Sequence, residues 1–307
     1  MVAAVFHMPR AARSDGEAAP PAALAHLQPA VSSATPAVAK ASPQRARVDW
    51  SAGLARLVPP LLGLALLVGV WALLTMGSTT FPTPKATFES ALKLFADPFY
   101  RKGPNDQGIG WNVLFSLERV GLGFGLAAAV GIPLGFVIGR FEFASRMVSP
   151  LISLLKPVSP LAWLPIGLLV FKAANPAAVW TIFICSIWPM VVNTAVGVQR
   201  VPQDYLNVAR VLNLSEWKVI TRILLPAVLP YMLTGVRLSV GTAWLVIVAA
   251  EMLTGGVGIG FWVWDEWNNL NVANIIIAIF VIGVVGLVLE FALIKIATAF
   301  TFEEVKS

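Results

Sequence analysis

Six long apolar stretches follow one another along this chain, separated by polar segments that carry most of its charges. They cover about residues 57–76, 116–139, 148–171, 177–198, 232–253 and 273–297. Crossing the roughly 30 Å hydrocarbon core of a bilayer takes about 20 apolar residues in one helix. The pattern therefore predicts an all-α integral membrane fold with six transmembrane helices in a domain spanning residues 57–307.

The two longest polar stretches ahead of the second apolar run have different compositions. Residues 77–112 contain Phe88, Leu92 and Phe95 at helical spacing, which predicts a helix lying against the outer membrane surface, with a plain connecting loop as the alternative. Most of residues 1–56 is rich in Ala, Pro and Ser without a period, which predicts a disordered tail. We expect this tail to be retained rather than removed as a targeting peptide, because it has no signal-peptide apolar core.

Lysine and arginine are distributed unevenly between the two sides of this predicted topology. With the N-terminus inside, the inner segments and helix ends hold 16 of them and the outer ones hold 6. Positive residues are enriched on the cytoplasmic side of membrane proteins. The bias therefore predicts that both termini are cytoplasmic.

Composition excludes several classes of protein. The chain is 57% hydrophobic and 12% charged with mean hydropathy +0.78, whereas a soluble domain has about 25% charged residues. The net charge of +6 is spread between apolar runs rather than gathered in one patch, so we expect no nucleic acid partner. Cys185 is the lone cysteine, and both histidines, His7 and His26, precede the spans, so we expect no metal site.

The chain also lacks the phosphate-binding pattern GxxxxGK[ST], and we therefore expect it to bind no cofactor itself. Any ATP and its Mg²⁺ must then be bound by another polypeptide. Two other classes of membrane protein are alternatives to a subunit that works with a separate ATPase. One is a secondary transporter that carries protons on Glu251, and the other is an intramembrane enzyme. The enzyme is disfavoured because the spans offer no nucleophile–base pair.

Five residues in or beside the spans are candidates for a pathway or gate: Lys156, Pro157, Asn193, Arg237 and Glu251. The prolines of the third span bend it and free carbonyl groups, which survive at membrane depth only where protein or a watery cavity satisfies them. Lys156 and Arg237 lie near inner helix ends, where they either attract an anion or reach the headgroups. For Glu251, near an outer helix end, we favour contact with the headgroups over a role within the membrane.

The segment 201–233 is the longest inner segment between spans. Tyr205, Val208, Ala209 and Leu212 share one helical face, and Asn213 then provides a break in the left-handed conformation. The pattern fits either a docking surface or a solvated loop that binds nothing.

The segment 201–233 resembles the cytoplasmic EAA loop of ABC-importer permeases, in which EAA is followed after three residues by Gly and nine residues later by I-x-L-P. After this resemblance we call this segment the coupling loop. Aligned on the proline, the corresponding positions are Asn207, Val208, Ala209, Asn213, Ile223, Leu225 and Pro226. Ala209 and the closing residues match the pattern, whereas the first two positions and Asn213 depart from it. The resemblance implies that this loop contacts an ATPase, with Ala209 on the face that enters the ATPase groove.

Similarity to this family extends over about residues 57–300, with its core at about 112–297. The segments SLERVGLGF, PVSPLAWLPIGLLVF and TGVRLSVGTAWLVIVAAEM resemble the branch that imports nitrate, bicarbonate, taurine and alkanesulfonates, and AEMLTGGVGIGFWVWDEWNNLN is most similar to nitrate permeases. The resemblance implies a type I permease fold in a bacterial inner (plasma) membrane. It also implies a second permease copy, two cytoplasmic ATPases and an extracytoplasmic anion-binding protein.

The topology can be tested with reporter fusions at Asn105 and at the C-terminus. We expect an outside signal at Asn105 and an inside signal at the C-terminus, because an even number of spans returns the chain to its starting side. An outside signal from the C-terminal fusion would contradict the six-span topology.

Overall fold

The structure is a computed structural model that describes residues 50–78 and 80–302, with side chains for 58–78 and 80–297; most of the predicted tail lies outside these ranges. Here the chain is helical apart from short connections. The helices are α1 Trp50–Thr75, α2 Pro84–Ala96, α3 Ile109–Arg140, α4 Glu142–Leu155, α5 Pro160–Phe171, α6 Ala174–Gln199, α7 Gln203–Val211, α8 Glu216–Val219, α9 Leu225–Thr254, α10 Ile259–Asn268 and α11 Val272–Phe302, with a π-helical turn, Ile220–Leu224, between α8 and α9.

Five described helical segments are long and apolar enough to cross a membrane: 58–75, 109–140, 174–199, 216–254 and 272–297. The predicted third span is a bent pair instead, because α4 and α5 meet at 99° and count as a sixth span only when taken together. Prolines explain the break. Pro157 follows α4, and Pro160 begins α5, where its missing N–H costs no helical hydrogen bond.

The first helix starts earlier than the sequence predicts. It begins at Trp50, so the prediction of a disordered tail is wrong for residues 50–56. This segment, WSAGLAR, contains Ala, Leu and Arg and lacks the prolines of the preceding tail, a composition that favours helix. The larger of the two compact units of the chain begins at Leu57.

The centre of the bundle is built from α3, α6 and α9, which pack closely because small residues line their contacts. A Cβ atom on Gly135 of α3 would lie 2.6 Å from the Cβ of Thr194, and one on Gly139 would lie 2.6 Å from that of Val198. Gly121 and Gly125 of the same helix have open space around them. These two glycines therefore lie outside the contact with α6, which Gly123 and Gly131 also form.

The predicted helix before the second span is present as α2. Thr83 caps it by accepting a hydrogen bond from the backbone N–H of Ala86 at 3.3 Å. Phe88, Leu92 and Phe95 are exposed on its surface. An apolar side exposed on a short helix fits a position against a membrane surface.

The tight contact between α3 and α6 yields a stability prediction. Gly135→Val should destabilise the protein by about 1–3 kcal/mol, because added methyl groups at a close helix contact force the backbones apart. Gly125→Val is the matched control on the same helix and should change little. Thermal unfolding of the purified chain in detergent measures the difference, and equal melting temperatures for the two variants would contradict the packing argument.

Candidate functional site

The coupling loop is built around a helix end that the sequence predicts correctly. Helix α7 ends before Asn213, whose φ of 48° lies in the left-handed region. Leu214 donates its N–H to the carbonyl of Ala209 at 3.0 Å, and Asn213 donates to that of Arg210 at 3.0 Å. These two bonds form a Schellman motif, which satisfies carbonyl groups at a helix end. Asn213 therefore occupies the position that glycine usually fills.

One side of α7 packs against the bundle, and Ala209 lies on that side. Ala209 is 2% exposed and Leu206 is 7% exposed. They belong to one apolar cluster with residues from the ends of α6 and α9 and from α8, namely Val198, Val201, Val219, Leu224 and Val228. The prediction that Ala209 faces outward with Tyr205 is therefore wrong. Ala209 lies on the same side of α7 as Leu206, and the bundle buries that side.

The opposite side of the coupling loop is apolar and exposed. Its side chains are those of Tyr205, Val208, Val211, Leu212 and Trp217. Asn207 is also exposed, and its Oδ1 accepts a hydrogen bond of 3.4 Å from Arg210. An exposed aromatic and aliphatic surface of this kind is typical of a protein contact.

The closing residues of the loop connect it to a spanning helix. Ile223 lies in the π-helical turn and packs partly buried against the apolar cluster, while Leu225 and Pro226 begin α9. Pro226 has no N–H to donate to the preceding turn. On the other side of the loop, Arg140 at the end of α3 forms an ion pair of 3.1 Å with Glu216 of α8. The loop is thus attached to α3, α6 and α9.

A second polar site lies inside the bundle, around Glu251 of α9. Glu251 is 1% exposed, and its Oε1 lies 2.6 Å from Nη1 of Arg119, whose side chain is 12% exposed. Ser116 donates a hydrogen bond to the same carboxylate at 2.8–2.9 Å, and the N–H of Gly260 donates to Oε2 at 3.0 Å. The expectation that Glu251 reaches the headgroups is therefore wrong, because its charge is satisfied within the protein.

The glycine-rich segment after α9 folds over this carboxylate. Gly258 has φ 153°, and a Cβ atom there would overlap the Glu251 carboxylate. The segment is fixed by hydrogen bonds from the N–H of Gly258 to Oδ1 of Asn112 and from that of Ile259 to Oγ of Ser116, both 2.9 Å. The glycines are thus needed for close approach to a buried charge as well as for the turn.

Sequence reasoning missed Asn112, Ser116 and Arg119 as members of this site. A signal existed, because an acid within a span requires an internal partner. Arg119 also donates to Oδ1 of Asn175 at 3.0 Å and to the carbonyl of Val257 at 2.5 Å. The pair therefore joins α3, α6, α9 and the segment before α10.

Arg237 has a partner that the sequence analysis also missed. Its guanidinium forms an ion pair with Glu290 of α11, and about half of each side chain is exposed. Glu290 stands alone as an acid in the apolar run of α11, the kind of residue that marks a functional position in a span.

The remaining candidate residues occupy separate places. Lys156 and Pro157 lie exposed at the bend between α4 and α5. Asn193 donates a hydrogen bond of 2.8 Å to the carbonyl of Pro189 in its own helix and packs against Gly235. The structure therefore does not bring the five candidates together into one site.

A polar cavity of about 460 Å³ lies near the connection from α10 to α11. It is lined by Ser90, Lys93, Leu94, Asp97, Tyr100, Lys102, Asn271 and Asn274. Beside it, burial raises the pKa of the Glu266 carboxyl, although Asn274 and Asn271 donate hydrogen bonds to it. Burial and the neighbouring Asp106 raise the pKa of Tyr100. This surface combines both signs of charge.

Comparison with known proteins connects these features to a family. Residues 131–301 match the model of the binding-protein-dependent transport system inner membrane component. The chain belongs to this family. The predicted resemblance to ABC-importer permeases is thereby confirmed.

Two relatives illustrate the similarity. The chain is 46% identical over 257 residues to the nitrate import permease protein NrtB of Leptolyngbya laminosa, covering 81% of this chain and 92% of the relative. It is 42% identical over 245 residues to the bicarbonate transport system permease protein CmpB of Synechococcus elongatus, covering 78% and 88%.

A solved structure supports the fold. The chain matches a chain of the MetNI methionine ABC transporter in an inward-facing conformation with TM-score 0.54 and 12% identity, covering 62% of this chain and 97% of the other. The predicted all-α, type I permease fold is confirmed. As a member of this family, the chain is a membrane transport component.

The buried pair yields a prediction for this permease. Glu251→Ala should destabilise it by about 3–5 kcal/mol, because Arg119 would keep a buried charge without its partner. Glu89→Ala is the control, since it breaks an ion pair with Lys85 whose side chains are 61% and 87% exposed, and it should have little effect. Thermal unfolding in detergent tests both variants. Similar melting temperatures would show that the Glu251 charge is not structurally important.

Proposed function

We propose that this chain is the membrane-spanning permease subunit of an ATP-driven importer of nitrate. The observation that carries the proposal is the 46% identity to a nitrate import permease over most of both chains. Bicarbonate is the second candidate, because a bicarbonate permease is 42% identical over a similar range. Taurine and alkanesulfonates remain further alternatives from the sequence.

The coupling loop is the proposed contact for an ATPase subunit that binds ATP and Mg²⁺. The exposed apolar side, with Tyr205, Val208 and Trp217, offers a surface that another protein can bury. Because the Schellman motif, the apolar cluster and the Arg140–Glu216 pair attach this loop to three spanning helices, a displacement of the loop moves the bundle with it. ATP binding then shifts the permease between inward-open and outward-open states. This shift requires that the ATP-bound ATPase bind the two states with different affinity.

The opposite side of the bundle is the proposed contact for an extracytoplasmic anion-binding protein. There the segment 255–260 is fixed by the Glu251–Arg119 pair, and α10 exposes Trp264 and Trp267. The proposed membrane is the bacterial inner membrane. In the proposed orientation the coupling loop, the tail and the C-terminus are cytoplasmic. The Lys/Arg bias supports that orientation.

A second permease copy completes the proposed complex. Helix α4 supports this part of the proposal, because none of its side chains is buried although it carries Glu142, Arg146, Ser149 and Ser153. Glu142 and Arg146 pair with each other at the start of this helix, so its whole exposed surface can contact another protein.

The test is uptake into vesicles by the complete complex of permease, ATPase subunits and binding protein. We expect ATP-dependent accumulation of labelled nitrate, and weaker or no accumulation of bicarbonate. Uptake that follows a proton gradient and persists without the ATPase subunits would favour a secondary transporter instead.

Val208→Glu tests the docking surface in the same assay. A carboxylate buried without a partner costs several kcal/mol, so we expect the ATPase subunits to co-purify at least about tenfold less and uptake to fall with them. Val208→Thr, of similar size and uncharged, is the matched control and should retain both. Normal ATPase association of Val208→Glu would contradict the proposed surface.

A further inference from the structure

The ion pair between Arg237 and Glu290 lies well within two spanning helices. Arg237 is twelve residues after Leu225, the first residue of α9, and Glu290 is twelve residues before Phe302, the last residue of α11. At 1.5 Å per residue, each lies about 18 Å along its helix from an end on the same side of the bundle. The charges are therefore not at the helix ends, where long side chains reach the headgroups.

This pair is open on one side. The side chains of Arg237 and Glu290 are 53% and 46% exposed. Two cavities, of about 380 Å³ and 260 Å³, adjoin Arg237 in the groove between α9 and α11; the larger is also lined by Thr234, Gly241, Gly286 and Glu290. A half-exposed charge facing lipid tails is costly, so this groove must face water or protein.

Arg237 differs from Arg119, the other arginine well inside a spanning helix of the described chain. Arg119 is 12% exposed and already donates to Glu251, Asn175 and the carbonyl of Val257. A guanidinium has five N–H donors in a planar fork, which suits bidentate contact with a planar oxyanion. The fork of Arg237 is paired with one carboxylate and borders open volume, so it can accept a second anion.

We propose that Arg237 is an anion-contacting residue of the translocation pathway and that Glu290 is its internal counterion, displaced while the anion passes. The inference rests on the proposed function. With the pathway empty, Glu290 balances the arginine and lowers the cost of holding it in the membrane. When nitrate arrives, it exchanges with Glu290 at the guanidinium, and the return of Glu290 releases it. Nitrate and bicarbonate are both planar oxyanions and can use the same fork.

The test uses the complete complex in vesicles of phosphatidylcholine and phosphatidylethanolamine, with ATPase co-purification as the check on folding. Arg237→Gln should lower nitrate uptake by roughly tenfold to a hundredfold, the loss expected when a hydrogen bond to a charged group is removed. Glu290→Gln should retain nitrate uptake, because the guanidinium of Arg237 is still present to contact the anion. The double variant Arg237→Gln/Glu290→Gln should be as defective as Arg237→Gln, because it still lacks the fork.

A purely structural pair gives the opposite pattern. Each single variant would then leave an unpaired charge and be similarly impaired, while the neutral double variant would recover. Recovery of uptake in the double variant therefore overturns the proposal. The same three changes at the exposed pair Lys85–Glu89, which lies 4.0 Å apart on α2, provide the matched control.

A second arm distinguishes the transported anion from a lipid phosphate as the occupant of the groove. The assays are repeated in vesicles that also contain phosphatidylglycerol. A defect of Arg237→Gln that appears only with this anionic lipid would assign the groove to a headgroup and overturn the proposal; an equal defect in both kinds of vesicle supports it.

Failure of this inference can be separated from failure of the proposed function. If the unsubstituted complex imports nitrate and the arginine variants do so equally well, the inference fails and the function stands. If it imports bicarbonate instead, nitrate import is refuted and the same variants test the arginine with bicarbonate. A complex that moves neither anion overturns both.

Discussion

Lipid tails offer no hydrogen-bond partners, and this constraint governs the spanning helices of the described chain. The backbone meets it by forming helices, and the prolines that interrupt the third span split it into α4 and α5. Charged side chains meet it in pairs, since a lone charge at membrane depth is costly. The positions of the charges therefore indicate which surfaces of the helices are buried and which face water or protein.

The two ion pairs within the bundle satisfy this constraint differently. The Arg119–Glu251 pair is closed, because Ser116 and the backbone of the glycine-rich segment complete its hydrogen bonds. It ties α10 and the segment before it to the central helices. The Arg237–Glu290 pair is open to a groove. A closed pair holds one conformation, whereas an open pair can exchange partners.

The opposite end of the bundle carries the coupling loop, the contact that we propose for an ATPase subunit. The coupling loop has a buried apolar side that continues the core of the bundle and an exposed apolar side available to another protein. Asn213 fixes the end of α7, and the ion pair of Glu216 with Arg140 fixes α8 to the end of α3. A rigid attachment of this kind is what allows force applied at a surface to reach the spanning helices, because packed apolar contacts deform little.

The sequence by itself determined the apolar helices, the helical segment before the second span, the break at Asn213 and the family resemblance. These follow from local pattern: runs of apolar residues long enough for a bilayer, helical spacing, and a residue type that tolerates the left-handed conformation. Only the tertiary structure decided which side of α7 is buried, that Glu251 is paired with Arg119, and that Arg237 is paired with Glu290. The partners in these two pairs are 132 and 53 residues apart in sequence, so they meet only when helices pack, and no local pattern specifies that meeting.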